Sequence, residues 1–195
     1  MKFAGLDLII CPSVYEPAED SFLLANAAMK LKGKILEVGC GSGIVSLICA
    51  RAGNDVIGVD VNSAAIKCAK ENAKRNKIKS VRFIKSDLFS KVPKEKFDAI
   101  LFNPPYLPTS KEEIISGALN LAFDGGPDGM DVIKNFLNHV NDYLKHGGSL
   151  FLVQSSLSDE KFIVNRLHEM GYKIEFIAEE KFFFEKLYLT RATRL

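Results

Sequence analysis

The stretch Lys34-Ile35-Leu36-Glu37-Val38-Gly39-Cys40-Gly41-Ser42-Gly43-Ile44-Val45-Ser46-Leu47-Ile48 decides the fold. Lys34–Val38 reads as a short buried strand, and residues 44–52 are apolar enough for a buried helix. Between them lie five residues of which three are glycine. A helix that starts directly after a strand points unpaired backbone N–H groups into the crevice at the strand's end, and glycine lets a ligand approach that backbone closely. A nucleotide-like ligand is expected there. Gly39, Gly41 and Gly43 do not fit the G-x-G-x-x-G spacing of dinucleotide enzymes, whose third glycine would fall at Ile44.

Working outward, strands and helices alternate. Pro17, with Glu19 and Asp20 in the first turn, opens a helix with apolar positions Leu24, Ala27, Ala28 and Leu31, ended by Gly33. Asp55–Val59 is a second strand finishing at Asp60, and Asn62 or Ser63 caps a helix to about Arg75. Val81–Lys85 is a third strand. Phe97–Phe102 is a fourth, running into Asn103-Pro104-Pro105-Tyr106, where two prolines forbid both ladder and helix. A long loop containing Gly117, Gly125, Gly126 and Pro127 leads to a helix with Ile133, Leu137, Val140 and Leu144, closed by Gly147 and Gly148. Ser149–Val153, the alternation Tyr172, Ile174, Phe176, Ala178, and Lys186–Thr190 supply three more strands, with a helix over residues 159–170 after the first of them. The expectation is an α/β fold: a seven-stranded, mostly parallel sheet with helices on both faces and a C-terminal antiparallel hairpin. At 195 residues, 1–195 is expected to form one domain, with 1–33 as an N-terminal strand and helix extension packed on it.

Bulk properties exclude several classes. The chain is 47% hydrophobic and 26% charged, too apolar for disorder, and no run approaches the roughly 18 apolar residues of a membrane span. Met1–Ala4 lacks the layout of a signal peptide, so a cytoplasmic protein is expected. Cys11, Cys40, Cys49 and Cys68 have no zinc-type spacing and read as buried free thiols. His139, His146 and His168 are scattered without ligand spacing, so no metal site is expected. The net charge of +2 does not announce nucleic acid, although eleven Lys or Arg lie between Lys67 and Lys96 against only Glu71, Asp87 and Glu95. That stretch reads as a solvated face with a charge-blunted sheet edge, or else as a surface for an acidic partner or RNA. Phe182-Phe183-Phe184 either covers the core or forms an exposed partner contact.

Glu37-Val38-Gly39-Cys40-Gly41-Ser42-Gly43 resembles the first motif of class I methyltransferases, where the glycine turn holds the methionine half of S-adenosylmethionine (SAM). Carboxylates at successive strand ends agree with that. Asp60 is placed to accept ribose hydroxyls and Asp87 to accept from the adenine amino group, with Leu88 giving a backbone N–H and apolar cover; alone, each would read as a cap or turn residue. A planar NH2 offers two donors, which the Asn103 side-chain oxygen and the Pro104 carbonyl would accept while Tyr106 packs on the flat face. Amide and exocyclic amino nitrogens are weak nucleophiles because their lone pairs are delocalised, so positioning and electrostatics must carry the reaction.

The tetrad Asn103–Tyr106 is shared by enzymes that methylate glutamine amides, adenine and some guanine amino groups. Taken with Val14-Tyr15-Glu16-Pro17-Ala18-Glu19-Asp20-Ser21 and Ala122-Phe123-Asp124-Gly125-Gly126, it resembles the HemK family in its short archaeal and eukaryotic branch. The resemblance implies methylation of the glutamine side-chain nitrogen in the Gly-Gly-Gln loop of class I translation release factors, with S-adenosyl-L-homocysteine as product. Carried over, it implies that Ser21, Glu37, Gly39, Gly41, Gly43, Asp60, Asp87, Leu88 and Asn103 hold the cofactor, and that Asn103, Pro104, Pro105 and Tyr106 bind the amide. It also implies a small zinc-binding activator at the edge strand 81–85. Bacterial members carry a separate N-terminal helical recognition domain, for which this chain has no counterpart beyond the short helix near Pro17. Two rival readings are a nucleic acid amino-group methyltransferase and a noncatalytic SAM-binding partner protein.

Overall fold

The computed structural model describes residues 1–107 and 122–195. Its element order is β1 (Lys2–Phe3), β2 (Leu6–Asp7), α1 (Glu19–Ala28), β3 (Lys34–Val38), α2 (Ile44–Arg51), β4 (Asp55–Asp60), α3 (Ser63–Arg75), β5 (Val81–Lys85), β6 (Phe97–Phe102), α4 (Asp131–His139), a 3-10 turn (Val140–Asp142), β7 (Leu144–Ser155), α5 (Glu160–Glu169), β8 (Tyr172–Lys181) and β9 (Lys186–Arg194).

Seven strands form one sheet in the order β5-β4-β3-β6-β7-β9-β8. The first five are mutually parallel, and β9 runs antiparallel to both β7 and β8. Successive side chains on each inner strand go to opposite faces, and both faces are buried. Ile35, Val56, Ala99, Leu101, Phe151 and Val153 pack under α1 and α2. Their neighbours Leu36, Ile57, Ile100, Phe102, Leu150 and Leu152 pack under α4 and α5. From β3 the chain steps outward to β4 and β5, then returns to place β6 on the other side of β3. The order therefore reverses between β3 and β6, and the loops leaving their carboxyl ends open a crevice there. The register fixes its floor: Val38 is level with Val59 on one side and Phe102 on the other.

The N-terminal segment is tied to this frame by two asparagines one turn apart, one on α3 and one capping its C-terminus. Asn72 accepts from Ile9 N at 2.8 Å and donates to Ile9 O at 3.0 Å and Ser42 O at 2.9 Å. Asn76 likewise accepts from Asp7 N and donates to Asp7 O, both at 2.8 Å. Each amide thus supplies the donor and acceptor that a neighbouring strand would otherwise give.

Several expectations are corrected. Cys11 and Cys68 are joined as a disulfide with Cα atoms 5.8 Å apart, while Cys40 and Cys49 are buried free thiols. The pair is 57 residues apart and meets only because α3 clamps the N-terminal segment, so spacing does not reveal it. The helix from Pro17 begins at Glu19 and ends at Ala28, short of Gly33. α4 ends at His139; Leu144 and the Gly147-Gly148 pair belong to a twelve-residue β7 instead of a helix end. The last strand extends to Arg194. Gly117, in the long loop, lies outside the described residues. No helix among the described residues is long and apolar enough to cross a membrane.

Candidate active site

A cavity of about 500 Å3 opens at the reversal between β3 and β6, within the roughly 300–1,000 Å3 range of small-molecule sites. Its lining includes Ser21, Glu37, Gly39, Gly41, Asp60, Asp87, Leu88, Asn103, Pro104, Pro105 and Tyr106, which come from five separate segments of the chain. Of the proposed cofactor residues only Gly43 is outside the lining. It caps α2 with φ +86°, and a Cβ there would lie 2.9 Å from the Ala69 Cβ, so its glycine serves helix packing. Gly41, with φ +52° and nothing within 4 Å of a built Cβ, keeps the turn open towards the cavity.

Two carboxylates brace this turn. Asp60 accepts from Gly41 N at 2.9 Å and from Asn62 N at 2.8 Å, one bond per oxygen, which locks the glycine loop onto the end of β4. Burial raises its pKa, opposed by those two N–H groups. A carboxylate has about four lone-pair sites, so its capacity for ligand hydroxyls is only half used. Glu37 lies on β3, fully buried, and accepts from Ser46 N at 2.7 Å and from Ser46 Oγ on α2. Burial pushes its pKa up to about 8, against the Ser46 bonds that lower it, with Asp60 adding to the rise.

This gives a signed prediction. Between the ordinary value of 4.5 and about 8 the folded chain holds a proton on Glu37 that the unfolded chain releases. Stability of the ligand-free chain therefore falls as pH rises through that window and levels off above it. Thermal melts from pH 5 to 9 should show Glu37→Gln losing this part of the slope. Parallel profiles for the two chains would mean that Glu37 is already ionised at neutral pH.

The acceptor end is built from three sequence runs that the fold brings together. Asn103 follows β6 directly, and its Nδ2 donates to Asp20 Oδ2 at 2.9 Å. Asp20 is buried in the first turn of α1 and also accepts from Tyr15 Oη at 3.1 and 3.2 Å and from Ser21 N at 2.6 Å. The third run closes behind: Tyr15 meets Phe123 edge-on at 5.4 Å, Gly125 N donates to Leu107 O at 3.1 Å, and a Cβ on Gly125 would strike Pro105 O at 2.8 Å. Tyr106 is partly buried, and burial, then the charges of Asp20 and Glu185, raises its pKa so that it stays a phenol.

The amide of Asn103 is thereby oriented. With Nδ2 committed to Asp20, Oδ1 is left buried without a hydrogen-bond partner. Ser42 Oγ, also in the cavity wall, is the second such atom there among the described residues. No donor among the described residues reaches the Pro104 carbonyl. Buried polar atoms are rarely left unpaired in a native fold, so these acceptors point to a donor-bearing ligand. The charge of the wall is one-sided. Among the described residues Asp20, Glu37, Asp60, Asp87, Asp124 and Glu185 line it, with no Lys, Arg or His.

Asp20 was visible in the sequence as a first-turn acid and as a member of the Val14–Ser21 run, with no role of its own, and its pairing with Asn103 across 83 residues carries no local signal. Glu185, Tyr15 and Phe123 are further wall residues of this kind. Burial pushes the Cys40 thiol far up, which removes it as a nucleophile. Among the described residues no cluster of His, Cys, Asp or Glu could hold a metal ion.

The methyltransferase small domain family matches residues 18–184, and the chain belongs to that family. A Methanocaldococcus jannaschii protein, named provisionally as a protein N5-glutamine methyltransferase, is 47% identical, covering 100% of this chain and 99% of its own length. The catalytic subunit mtq2 of the Schizosaccharomyces pombe eRF1 methyltransferase is 31% identical over 93% of this chain and 90% of its own. Among solved structures, the E. cuniculi Mtq2–Trm112 complex, described as responsible for methylation of the eRF1 translation termination factor, matches with a TM-score of 0.73. That match has 24% identity over 94% of this chain and 99% of that one, a likeness of fold. The HemK resemblance read from the sequence is borne out.

Proposed function

We propose that this chain transfers a methyl group from SAM to the side-chain amide nitrogen of the glutamine in the Gly-Gly-Gln loop of a class I translation release factor. The observation that carries the reading is the oriented Asn103 amide, whose buried Oδ1 lacks a partner, followed in the chain by a Pro104 carbonyl that no described donor reaches. Two acceptors in that arrangement match the two N–H bonds of a primary amide.

The wall fits the cofactor. Gly39 and Gly41 would lie against its methionine half, Glu37 and Ser21 beside its ammonium, Asp60 at the ribose, and Asp87 with Leu88 at the adenine. SAM bound there supplies an electrophilic methyl group on a sulfonium, and the six carboxylates favour a ligand with two positive centres. At the acceptor end, Asn103 Oδ1 and Pro104 O would hold the amide N–H groups while Tyr106 covers the flat face. As the new N–C bond forms, positive charge grows on the nitrogen, and two fixed carbonyl dipoles stabilise it more than they stabilise the neutral amide. The nitrogen then loses a proton to water.

The same wall weighs against a nucleic acid substrate, because phosphates would enter a site of matching sign. The basic residues between Lys67 and Lys96 lie on α3, β5, the turn between them and the segment after β5, and none lines the cavity. A noncatalytic SAM-binding partner would have no use for the acceptor clamp. Among the described residues β5 is the sheet edge on the far side from the hairpin and pairs only with β4, and a small zinc-binding activator adding a strand there is the partner inferred from the HemK resemblance.

The test is mass spectrometry of a recombinant archaeal release factor after incubation with the chain and SAM, with and without that partner. A gain of one methyl on the Gly-Gly-Gln glutamine is expected. No gain in either condition, with SAM binding demonstrated, would overturn the substrate.

A further inference from the structure

The tip of the β8–β9 hairpin breaks the usual chemistry of a tight reversal. Phe182 N donates to Glu185 O at 2.7 Å, leaving Phe183 and Phe184 as the two central residues. Two-residue hairpin loops favour Asn, Asp and Gly, whose backbones tolerate the turn and whose side chains suit water. Here two aromatic rings occupy those positions, 92% and 85% exposed, packed on each other edge to face at 4.5 Å. Neither supports the core, and with ~200 Å2 per aromatic side chain they keep roughly 350 Å2 of ring surface in water.

The tip stands at the cavity mouth. Glu185, the next residue, lines the cavity and accepts from Ser155 Oγ at 2.5 Å, where β7 ends. Ser158, three residues on, donates to Tyr106 O at 3.4 Å. The rings are thus joined to the cavity wall through Glu185, within reach of a protein that delivers a side chain to Asn103.

We infer that Phe183 and Phe184 are the docking anchor for the acceptor protein. They receive an apolar side chain on the surface around the methylated glutamine, while Glu185, which follows them in the chain and lines the cavity, selects Lys or Arg beside it. The inference rests on the proposed protein substrate and adds the part of its surface that is recognised. Exposed aromatic pairs surrounded by polar rim residues are the usual composition of an interface hot spot.

The experiment compares the Phe183→Ser/Phe184→Ser double variant with the unaltered chain on two acceptors, the intact release factor and a short Gly-Gly-Gln peptide. Phe183→Leu/Phe184→Leu serves as the apolar control. Expected for the serine variant is a rise of roughly tenfold or more in KM for the intact factor. Its kcat, SAM affinity and peptide turnover should stay unchanged, and the leucine variant should fall close to the unaltered chain. An unchanged KM for the factor overturns the inference while leaving the proposed reaction standing. So does a parallel loss on factor and peptide, which would mean damage to the cavity. A change of oligomeric state with unchanged KM would assign the rings to a second copy of the chain. If the unaltered chain fails to methylate the factor, the proposed substrate falls and the named occupant with it.

Discussion

Asn103→Ala should lower methyl transfer by roughly two to three orders of magnitude, the scale seen when one preorganised dipole is removed from a developing charge. SAM affinity should stay within about threefold, because most cofactor contacts proposed here lie on β3, β4 and the segment after β5. The substitution removes the one side-chain acceptor facing the amide and leaves the Pro104 carbonyl, so a residue of activity is expected in place of complete loss. Asp20 would keep Tyr15 Oη and Ser21 N as donors, which limits collapse of the wall. Calorimetric titration with SAM and single-turnover assays on the release factor separate the two effects. Loss of binding and turnover in equal proportion would make Asn103 a cofactor residue only, and unchanged turnover would remove the acceptor clamp from the mechanism.

The electrostatic design follows from the same wall. A site for a cationic cofactor and a neutral acceptor can afford six carboxylates, provided each is braced so that its charge does not unfold the loop carrying it. Asp60 is braced by two backbone N–H groups and Glu37 by Ser46, whereas Asp20 is braced by the acceptor clamp itself. Burial works against ionisation at Glu37 and Asp60. A cationic group arriving beside them would favour the charged forms, so cofactor binding and proton release should be coupled.

Much of this was legible in the chain. Strands alternating with helices implied a sheet covered on both faces, and the glycine turn with the post-β6 prolines marked both lips of the crevice. What was missed depends on contacts that no local pattern encodes. The Gly147-Gly148 pair looked like a helix stop, yet Leu144 already pairs with Phe97 of β6 and the ladder resumes at Ser149, so the two glycines fall at an irregularity inside the strand. Gly43 looked like a ligand residue and is required by Ala69, twenty-six positions on. The cysteine reading rested on spacing, while Cys11 reaches Cys68 only through the asparagine clamps of α3. Val14–Ser21 was quoted for its likeness to a family, and its physical purpose appears only when Asp20 is seen against Asn103.

That contact yields the second large effect. Asp20→Ala should reduce kcat by roughly tenfold to a hundredfold, since a hydrogen bond to a charged group is worth about 1.5–3 kcal/mol. KM for SAM should move little. The physical reason is orientation: an amide can present oxygen or NH2 to the cavity, and only an acceptor-only partner at Nδ2 keeps the oxygen forward. Asp20→Asn is the informative control. Its own Oδ1 can accept from Asn103 Nδ2, but its NH2 can equally donate to Asn103 Oδ1 and turn the clamp around. Activity should therefore rank unaltered chain, then Asn, then Ala, with Tyr15→Phe causing a smaller loss because Asp20 keeps its other donors. If Asp20 only steadied α1, the Ala variant would lose melting temperature and SAM affinity together with kcat, and the Asn variant would behave like the unaltered chain. A fall in kcat at constant melting temperature, largest for Ala, would show that Asp20 acts by fixing which atom of Asn103 meets the substrate.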